Sequence, residues 1–289
     1  MTIRQPATAN LMIDSADRNF TTFQNPWNFQ LIRNASILNG FFHRIATTEV
    51  VLEWSNGNVV DALGNTSFGV TIAGTNYTIA LSGFFTIADL LNAIANELNT
   101  NATPPLPGGT TFSVAAIPGG GANLTISAGT WTPIPGVLAA QLGWPAPGDT
   151  PLTPAASQPV YPNDADLRPF RYLDFICSQL TYNQDLKDAA TQTQNKDVLC
   201  RWYFSYDNPL GNDAYGFPIR MGYESFQLRR LFSPPKQIRW DSIQPLGNLT
   251  FEVYGATQGL NYVPLALVYP TVADNQGTEW LMTLQVSEN

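Results

Sequence analysis

A β-type pattern that breaks off and later resumes is the feature that most constrains this fold. The strand-like run from Ile45 to Trp54 is followed by a stretch of different composition, from about Asn56 to Tyr161, and the pattern returns at Phe170. A loop whose two ends lie close together tolerates a long insertion at little entropic cost. The sequence therefore predicts a β-domain that carries a second domain in one of its loops.

The length and composition agree with two domains and with a surface that is poor in charge. A chain of 289 residues is long enough for one or two domains. Only 12% of the residues are charged and 44% are hydrophobic, while Gly and Pro number 22 each, so turns are frequent and the surface depends on uncharged polar residues. Such a surface suits burial against neighbouring molecules, although secreted β-proteins share it.

The net charge of −8 argues against a protein that grips nucleic-acid backbones, because that task needs clustered Lys and Arg. The densest basic stretch runs from Arg229 and Arg230 to Lys236 and Arg239, and it is short and mixed with other residues. It is interpreted as a solvated strand face or a subunit contact. No direct nucleic-acid partner is expected.

Neither a membrane span nor a signal peptide is expected, because the chain has no run of about 18 apolar residues and its first residues lack an apolar core. Cys177 and Cys200 both lie in apolar strand-like runs. They are predicted to be reduced, buried thiols, with a disulfide as the alternative. The Asn-x-Ser/Thr sequons are then incidental.

Residues 1–35 show no sustained periodicity and contain Pro6 and Pro26. They are interpreted as an N-terminal arm whose apolar residues dock on the body or on a neighbour. An ordinary first strand with a long lead-in is the alternative.

The interrupting stretch has a plan of its own. Two hairpins are predicted, one over 68–81 and one over 112–128, and between them Thr86 caps an amphipathic helix over about 86–99. The unit is β-β-α-β-β, with a short helical turn expected over 137–142. A Pro-rich linker, 145–162, then returns the chain to the host domain.

The resumed pattern supplies most of the host domain. Eight antiparallel strands without crossover helices predict a single jelly-roll sandwich, with the inserted domain after the first strand. An immunoglobulin-like sandwich is the alternative, but the chain has no Cys-Trp-Cys pattern. The predicted strands lie at 45–54 and near 170–180, 198–206, 225–233, 236–243, 249–254, 263–269 and 279–286. The predicted division is an arm over 1–35, a jelly roll over 36–56 and 166–289, and an inserted domain over 57–165.

The sequence offers little chemistry, and no catalytic, cofactor-binding or metal-binding residue is assigned. The single histidine, His43, has neither a Cys-x-x-Cys nor a His-x-x-x-His partner pair for zinc, and no Gly-x-Ser-x-Gly marks a nucleophile. Gly119–Gly121 are predicted to form a hairpin tip and not a phosphate loop. We therefore expect no enzyme activity and no cofactor. Acidic or amide clusters that could attract a cation are Asp14 with Asp17, Asn163 with Asp164 and Asp166, and Asp274 to Gly277, each of which is first of all a turn.

With these features in place, the chain resembles the penton proteins of tailless double-stranded DNA viruses: virophages, polinton-like viruses and their large nucleocytoplasmic relatives. The runs that carry the resemblance are short and spread over nearly the whole chain: Ile13–Asn19, Asn25–Phe29, Ile45–Val50, Val70–Thr78, Leu142–Trp144, Leu249–Tyr254 and Trp280–Ser287.

The resemblance implies a structural capsid protein of the virion. Five copies of an upright jelly roll would form a homopentamer at each icosahedral vertex, with the inserted domain projecting outward. The implied partners are other copies of the chain, capsomers of the major capsid protein, and minor capsid proteins reached through the N-terminal arm. No Arg-Gly-Asp is present to suggest integrin binding.

A carbohydrate-binding or receptor-binding jelly-roll module is the competing interpretation, since exposed aromatic residues could stack on sugars. The tryptophans considered for this are Trp27, Trp131, Trp144, Trp202, Trp240 and Trp280, although strand positions favour core packing for most of them. A hydrolytic enzyme is a third class, and the missing motifs disfavour it.

Overall fold

The structure is a computed structural model, and it describes residues 8–32, 44–181, 198–204, 210–239, 247–257, 262–271 and 277–287. His43, Trp240 and Asp274 lie outside these residues. The chain is mainly β, as predicted. No helix among the described residues is long and apolar enough to cross a membrane.

The strands and helices follow one another along the chain with short connections. The strands are β1 (Thr8–Asp14), β2 (Asn28–Ile32), β3 (Arg44–Trp54), β4 (Ser67–Ile72), β5 (Thr75–Ala80), β6 (Phe112–Ala116), β7 (Ala122–Ile126), β8 (Trp131–Pro133), β9 (Ser157–Val160), β10 (Tyr172–Ile176), β11 (Val198–Tyr203), β12 (Gly211–Asn212), β13 (Pro218–Ile219), β14 (Phe226–Leu231), β15 (Gln237–Arg239), β16 (Asn248–Ala256), β17 (Tyr262–Pro264) and β18 (Glu279–Ser287). The helices are α1 (Ile87–Asn101), α2 (Val137–Gln141), α3 (Ser178–Thr181) and α4 (Leu265–Val268).

The chain divides into two compact units. The host unit comprises 1–55, 170–204 and 225–289, and the inserted unit comprises 56–169 and 205–224. The division of the first part of the chain is close to the predicted one. The segment 205–224 differs, because it was assigned to the jelly roll and the structure groups it with the inserted unit.

The host unit consists of two antiparallel sheets. In the first sheet the order is β1-β18-β3-β14, and β15 continues the β14 edge along β3. In the second sheet the order is β11-β10-β16, and β2 and β17 share the remaining edge of β16. Successive strands alternate between the sheets, except for the consecutive pair β10 and β11. This order is that of an eight-stranded jelly roll.

The prediction of an N-terminal arm is wrong for residues 8–32. β1 pairs with β18, and β2 pairs with β16, so these residues supply the first two strands of the jelly roll. The physical reason is burial, since Ile13, Trp27 and Phe29 are at most 1% exposed. The insertion consequently follows the third strand and not the first.

The predicted strand over 263–269 is also corrected. Only Tyr262–Pro264 is a strand, and the chain then turns into the single-turn helix α4. The count of eight strands still holds, because β1 and β2 are gained while β14 and β15 form one interrupted edge.

Aromatic rings fill the space between the two sheets. Trp280 of the first sheet packs on Phe29, Phe175 and Phe251 of the second, with ring centroids 5.2–5.7 Å apart. At the end of β3, Trp54 lies 5.6 Å from the ring of Trp27. The core therefore depends on rings that come from distant parts of the sequence.

Gly255 in β16 is required by the close approach of the Phe170 ring. A Cβ at Gly255 would lie 2.6 Å from Cε1 of Phe170, which is fully buried. We expect Gly255→Ala to lower the free energy of unfolding by about 1–3 kcal/mol, because the ring has no free space to move into. Urea unfolding of the full chain measures this. Gly108→Ala, where no atom lies within 4 Å of the new Cβ, is the control and should be close to neutral.

The inserted unit contains the predicted β-β-α-β-β plan. β5, β4 and β8 form one three-stranded sheet, and β6, β7 and β9 form another. α1 begins after Thr86, whose Oγ1 accepts a hydrogen bond from the Asp89 N–H, as the capping pattern predicted. The predicted linker over 145–162 is partly wrong, because Ser157–Val160 is a strand that pairs with β7.

The segment 210–224 completes the core of the inserted unit. Phe217 and Tyr223 are each 1% exposed within that core. The Asp213 carboxylate accepts a hydrogen bond from the Ala88 N–H in the first turn of α1, at 2.8 Å. The Tyr223 hydroxyl accepts one from the Leu167 N–H, also at 2.8 Å. A helix N-terminus favours a nearby carboxylate, which strengthens the attachment.

We expect Phe217→Ala to lower the stability of the inserted unit by about 3–5 kcal/mol, because it opens a cavity in that core. Thermal unfolding of the full chain, followed by hydrogen exchange of α1 amides, measures the change. Leu210→Ala in the same segment is the control, since Leu210 is 61% exposed. An unchanged α1 in Phe217→Ala would contradict the placement of this segment.

Candidate assembly surface

The connection between β1 and β2 is anchored by buried polar contacts. Arg18 Nη1 donates to Glu279 Oε2 at 2.8 Å and to the Ser15 carbonyl at 2.6 Å. The Ser15 hydroxyl donates to the same Glu279 carboxylate, and its oxygen accepts the Trp280 N–H at 2.8 Å. The Arg18 side chain is only 5% exposed. These contacts fix the start of β18 against the chain that follows β1.

Two asparagines continue this anchoring. Asn19 shapes a turn by accepting the Thr21 N–H at 3.0 Å, and Asn25 donates to the Tyr269 carbonyl at 2.8 Å. The Trp280 indole N–H donates to the Pro26 carbonyl at 2.8 Å. The runs Ile13–Asn19 and Asn25–Phe29, which carried part of the resemblance, therefore hold the first two strands in place.

A cluster of tyrosines and one arginine covers the outer face of the second sheet. Leu173 and Phe175 of β10 point into the core, so Asp174 points to the opposite face. Arg201 donates two hydrogen bonds to Asp174, from Nε at 2.7 Å and from Nη2 at 2.8 Å. The Tyr262 hydroxyl donates to Asp174 Oδ2 at 2.9 Å. The carboxylate is thus held on three sides and is only 2% exposed.

Stacked rings surround this carboxylate. The Arg201 guanidinium lies 3.8 Å from the centroid of the Tyr172 ring. Tyr254 and Tyr262 stack with centroids 5.1 Å apart, and Tyr203 is 52% exposed. We call Tyr172, Arg201, Tyr203, Tyr254 and Tyr262 the tyrosine–arginine cluster. Tyr and Arg are enriched at the centres of protein interfaces, so this face is suited to contact another molecule.

Burial and charge both act on the ionisation of the cluster. Burial, followed by the neighbouring charge of Asp174, raises the pKa of Tyr262 above its ordinary value. Burial and the charge of Glu252 do the same to Tyr254. The hydrogen bond to Asp174 raises the pKa of Arg201, which stays charged. The cluster therefore holds one buried ion pair under neutral phenols at ordinary pH.

The two cysteines are buried and free, as predicted. Burial raises the pKa of the Cys200 thiol, so the reactive thiolate is disfavoured.

The cation candidates have local roles where the structure describes them. Asp14 Oδ1 accepts the Ala16 N–H at 2.8 Å, and Asp166 pairs with Arg168 at 2.6 Å. Gly119–Gly121 form the tip between β6 and β7, as predicted. Within the described residues, no three His, Cys, Asp or Glu side chains group together as metal ligands would.

The tryptophans considered for sugar stacking are core residues. Trp27, Trp131, Trp144, Trp202 and Trp280 are each no more than 6% exposed, and Trp240 lies outside the described residues. The expectation of core packing is confirmed for these five. The sequence analysis did not identify the tyrosine–arginine cluster. The alternation of Tyr172 and Asp174 with buried Leu173 and Phe175 was the available signal.

No family model matches the chain, and neither does any curated protein. Among solved structures, the crystal structure of the mavirus penton protein matches with a TM-score of 0.52 at 11% identity, over 99% of this chain and 100% of that one. This chain has the fold of the mavirus penton protein. A chain of the Sputnik virophage structure matches with a TM-score of 0.48 at 10% identity, over 98% of both chains.

The raised pKa of Tyr262 predicts a loss of stability in alkali. Above pH 10 the unfolded chain releases this phenol proton before the folded chain does, so unfolding becomes more favourable as the pH rises. We expect Tyr262→Phe to lower stability at pH 7 by about 1–2 kcal/mol, through the lost hydrogen bond to Asp174. Between pH 10 and 11.5 it should lose stability less steeply than the wild type, by at most about 1.4 kcal/mol per pH unit.

Urea unfolding at a series of pH values measures both effects. Tyr161→Phe, which removes a phenol hydroxyl from a residue that is 47% exposed, is the control and should keep the wild-type slope. An equally steep slope in Tyr262→Phe and the wild type would contradict this assignment.

Proposed function

We propose that this chain is a structural viral capsid protein, a penton whose homopentamers close the fivefold vertices of an icosahedral shell. The observation that carries the proposal is the match to the mavirus penton protein over 99% of this chain and the whole of that one. The match spans both the jelly roll and the inserted unit. A jelly roll alone serves many functions, so the full coverage is what favours this one.

The surface chemistry supports an assembly role. A closed ring needs heterologous contacts, in which two different patches of each copy meet. A surface with only 12% charged residues has fewer ions to desolvate when such patches are buried. The tyrosine–arginine cluster adds aromatic contact area whose buried carboxylate is already satisfied.

The inserted unit is proposed to project outward from the shell. The chain leaves the host unit after Ser55 and returns at Phe170. The rings of Trp54 and Phe170 have centroids only 6.1 Å apart, so the exit and the return lie at one place on the host. A unit attached at one place can be lifted from the ring without disturbing the strands that form it.

The proposed partners are other copies of this chain and capsomers of the major capsid protein, and the proposed location is the virion. No enzymatic role is proposed. A contact with minor capsid proteins through an arm is not proposed for residues 8–32, because these residues form strands of the host unit.

The carbohydrate-binding alternative loses its main support, since five of the tryptophans that it invoked are buried. An array of immobilised glycans, probed with the full chain, tests it directly. Binding that survives in the pentamer would add a receptor function to the vertex.

We expect the purified full chain to form a species of five times the monomer mass at micromolar concentration or above. Native mass spectrometry gives the mass, and class averages of negatively stained particles give the symmetry. Averages with fivefold symmetry support the proposal. A chain that stays monomeric across ionic strengths and calcium concentrations, or forms rings of another order, would contradict it.

A further inference from the structure

The two edges of the first sheet carry matching side chains at matching heights. β1 forms one edge and β14 the other, with β18 and β3 between them. Along one row, Met12 pairs with Thr283, Thr283 with Glu49, and Glu49 with Leu231. Met12 and Leu231 therefore lie at the same height along the strands, on opposite edges.

Both ends of this row are exposed apolar residues. Met12 is 62% exposed and Leu231 is 64% exposed. Large apolar residues on a free sheet edge favour association with another chain. Among the described residues, β1 pairs only with β18 and β14 only with β3. Each edge thus offers an apolar side chain beside an unpaired strand.

The neighbouring rows carry opposite charges at their two ends. Asp14 aligns with Arg229, and Ile13 aligns with Arg230, through Leu281 and Met282 of β18. The β1 edge therefore ends in a carboxylate, and Asp17 just beyond it is exposed. The β14 edge ends in two guanidinium groups.

Arg230 lacks a carboxylate partner among the described residues. Its guanidinium lies 5.0 Å from the centroid of the Trp202 ring, and burial lowers its pKa. Arg229 pairs with Glu49, yet its side chain remains 63% exposed. In a chain with a net charge of −8, two adjacent arginines on one edge are a local excess of positive charge.

We propose that the β1 edge of one copy packs against the β14 edge of the next copy around the ring. Met12 then meets Leu231 of the next copy, and Asp14 lies near its Arg229 and Arg230. This inference rests on the proposed pentamer of upright jelly rolls. Rotation about an axis parallel to the strands does not change height, so residues of one row meet.

The two edges differ in charge, so the contact joins unlike surfaces. An edge with a carboxylate repels a copy of itself, and an edge with two arginines does the same. Only the pairing of β1 with β14 brings an apolar residue against an apolar residue and a carboxylate against guanidinium groups. Such a head-to-tail contact closes into a ring or continues as a filament.

Charged substitutions at the apolar pair test the contact in the full chain. Met12→Glu and Leu231→Glu each place a carboxylate against an apolar side chain. We expect each to raise the protein concentration for half-assembly at least about tenfold. The double variant Met12→Glu with Leu231→Glu should assemble worse than either, because two like charges then face each other.

The decisive variant is Met12→Lys combined with Leu231→Glu. If these positions meet, the opposite charges attract, and the double variant should assemble better than either of its single variants. Leu267→Glu is the control, since Leu267 is 71% exposed in α4 and away from both edges. It should leave assembly unchanged.

A milder change tests the charged row without disturbing the fold. Asp14→Asn keeps the side-chain oxygen that accepts the Ala16 N–H but removes the charge. We expect an assembly midpoint raised about two- to fivefold, and less so at high salt. Circular dichroism and the unfolding midpoint of every variant should match the wild type.

The outcomes separate this inference from the proposed function. Rings that form in the wild type and persist unchanged in all edge variants would overturn the edge contact and leave the pentamer standing. Rings disrupted by both single variants but not restored by the Lys–Glu pair would overturn the register. A wild type that forms no ring would overturn both proposals.

Discussion

The buried ion pair between Arg18 and Glu279 is the contact on which the host unit depends. It joins the chain between β1 and β2, which belong to different sheets, to the first residue of the last strand. Because Ser15 also binds Glu279 and receives the Trp280 N–H, the start of β18 is fixed in register against β1. That register brings Trp280 between the sheets, where its ring packs on three phenylalanines. A jelly roll needs its first and last strands side by side, and these polar contacts position them.

The host unit accommodates its insertion by closing the core beneath it. Trp54 at the end of β3 contacts Trp27, Phe170 and Tyr269, so the exit and the return of the chain lie on packed rings. The inserted unit in turn recruits the segment 210–224 from between two host strands. Its attachment uses a carboxylate at a helix N-terminus and two buried aromatic side chains. The inserted unit is therefore built from two separate stretches of the chain.

Local periodicity predicted the inserted unit well. The capped helix and both hairpins appear within a few residues of their predicted bounds, because each is specified by neighbours within about fifteen residues. The first two host strands were not predicted. β1 is an edge strand with one fully buried residue, so its alternation is weak, and β2 is only five residues long. The tyrosine–arginine cluster was missed for a related reason, since its members come from β10, β11, β16 and β17.

By itself the sequence determined the class of the fold, the interruption after Trp54, and the absence of a recognisable catalytic motif, because composition and short-range spacing carry that information. Only the tertiary structure decided that residues 8–32 belong to the jelly roll and that 210–224 belong to the inserted unit. Their apolar side chains are buried by partners far away in the chain: Trp27 lies against Trp54, and Phe217 enters a core built mostly from residues before 170. Burial against such partners is a property of the folded chain, which no local pattern contains.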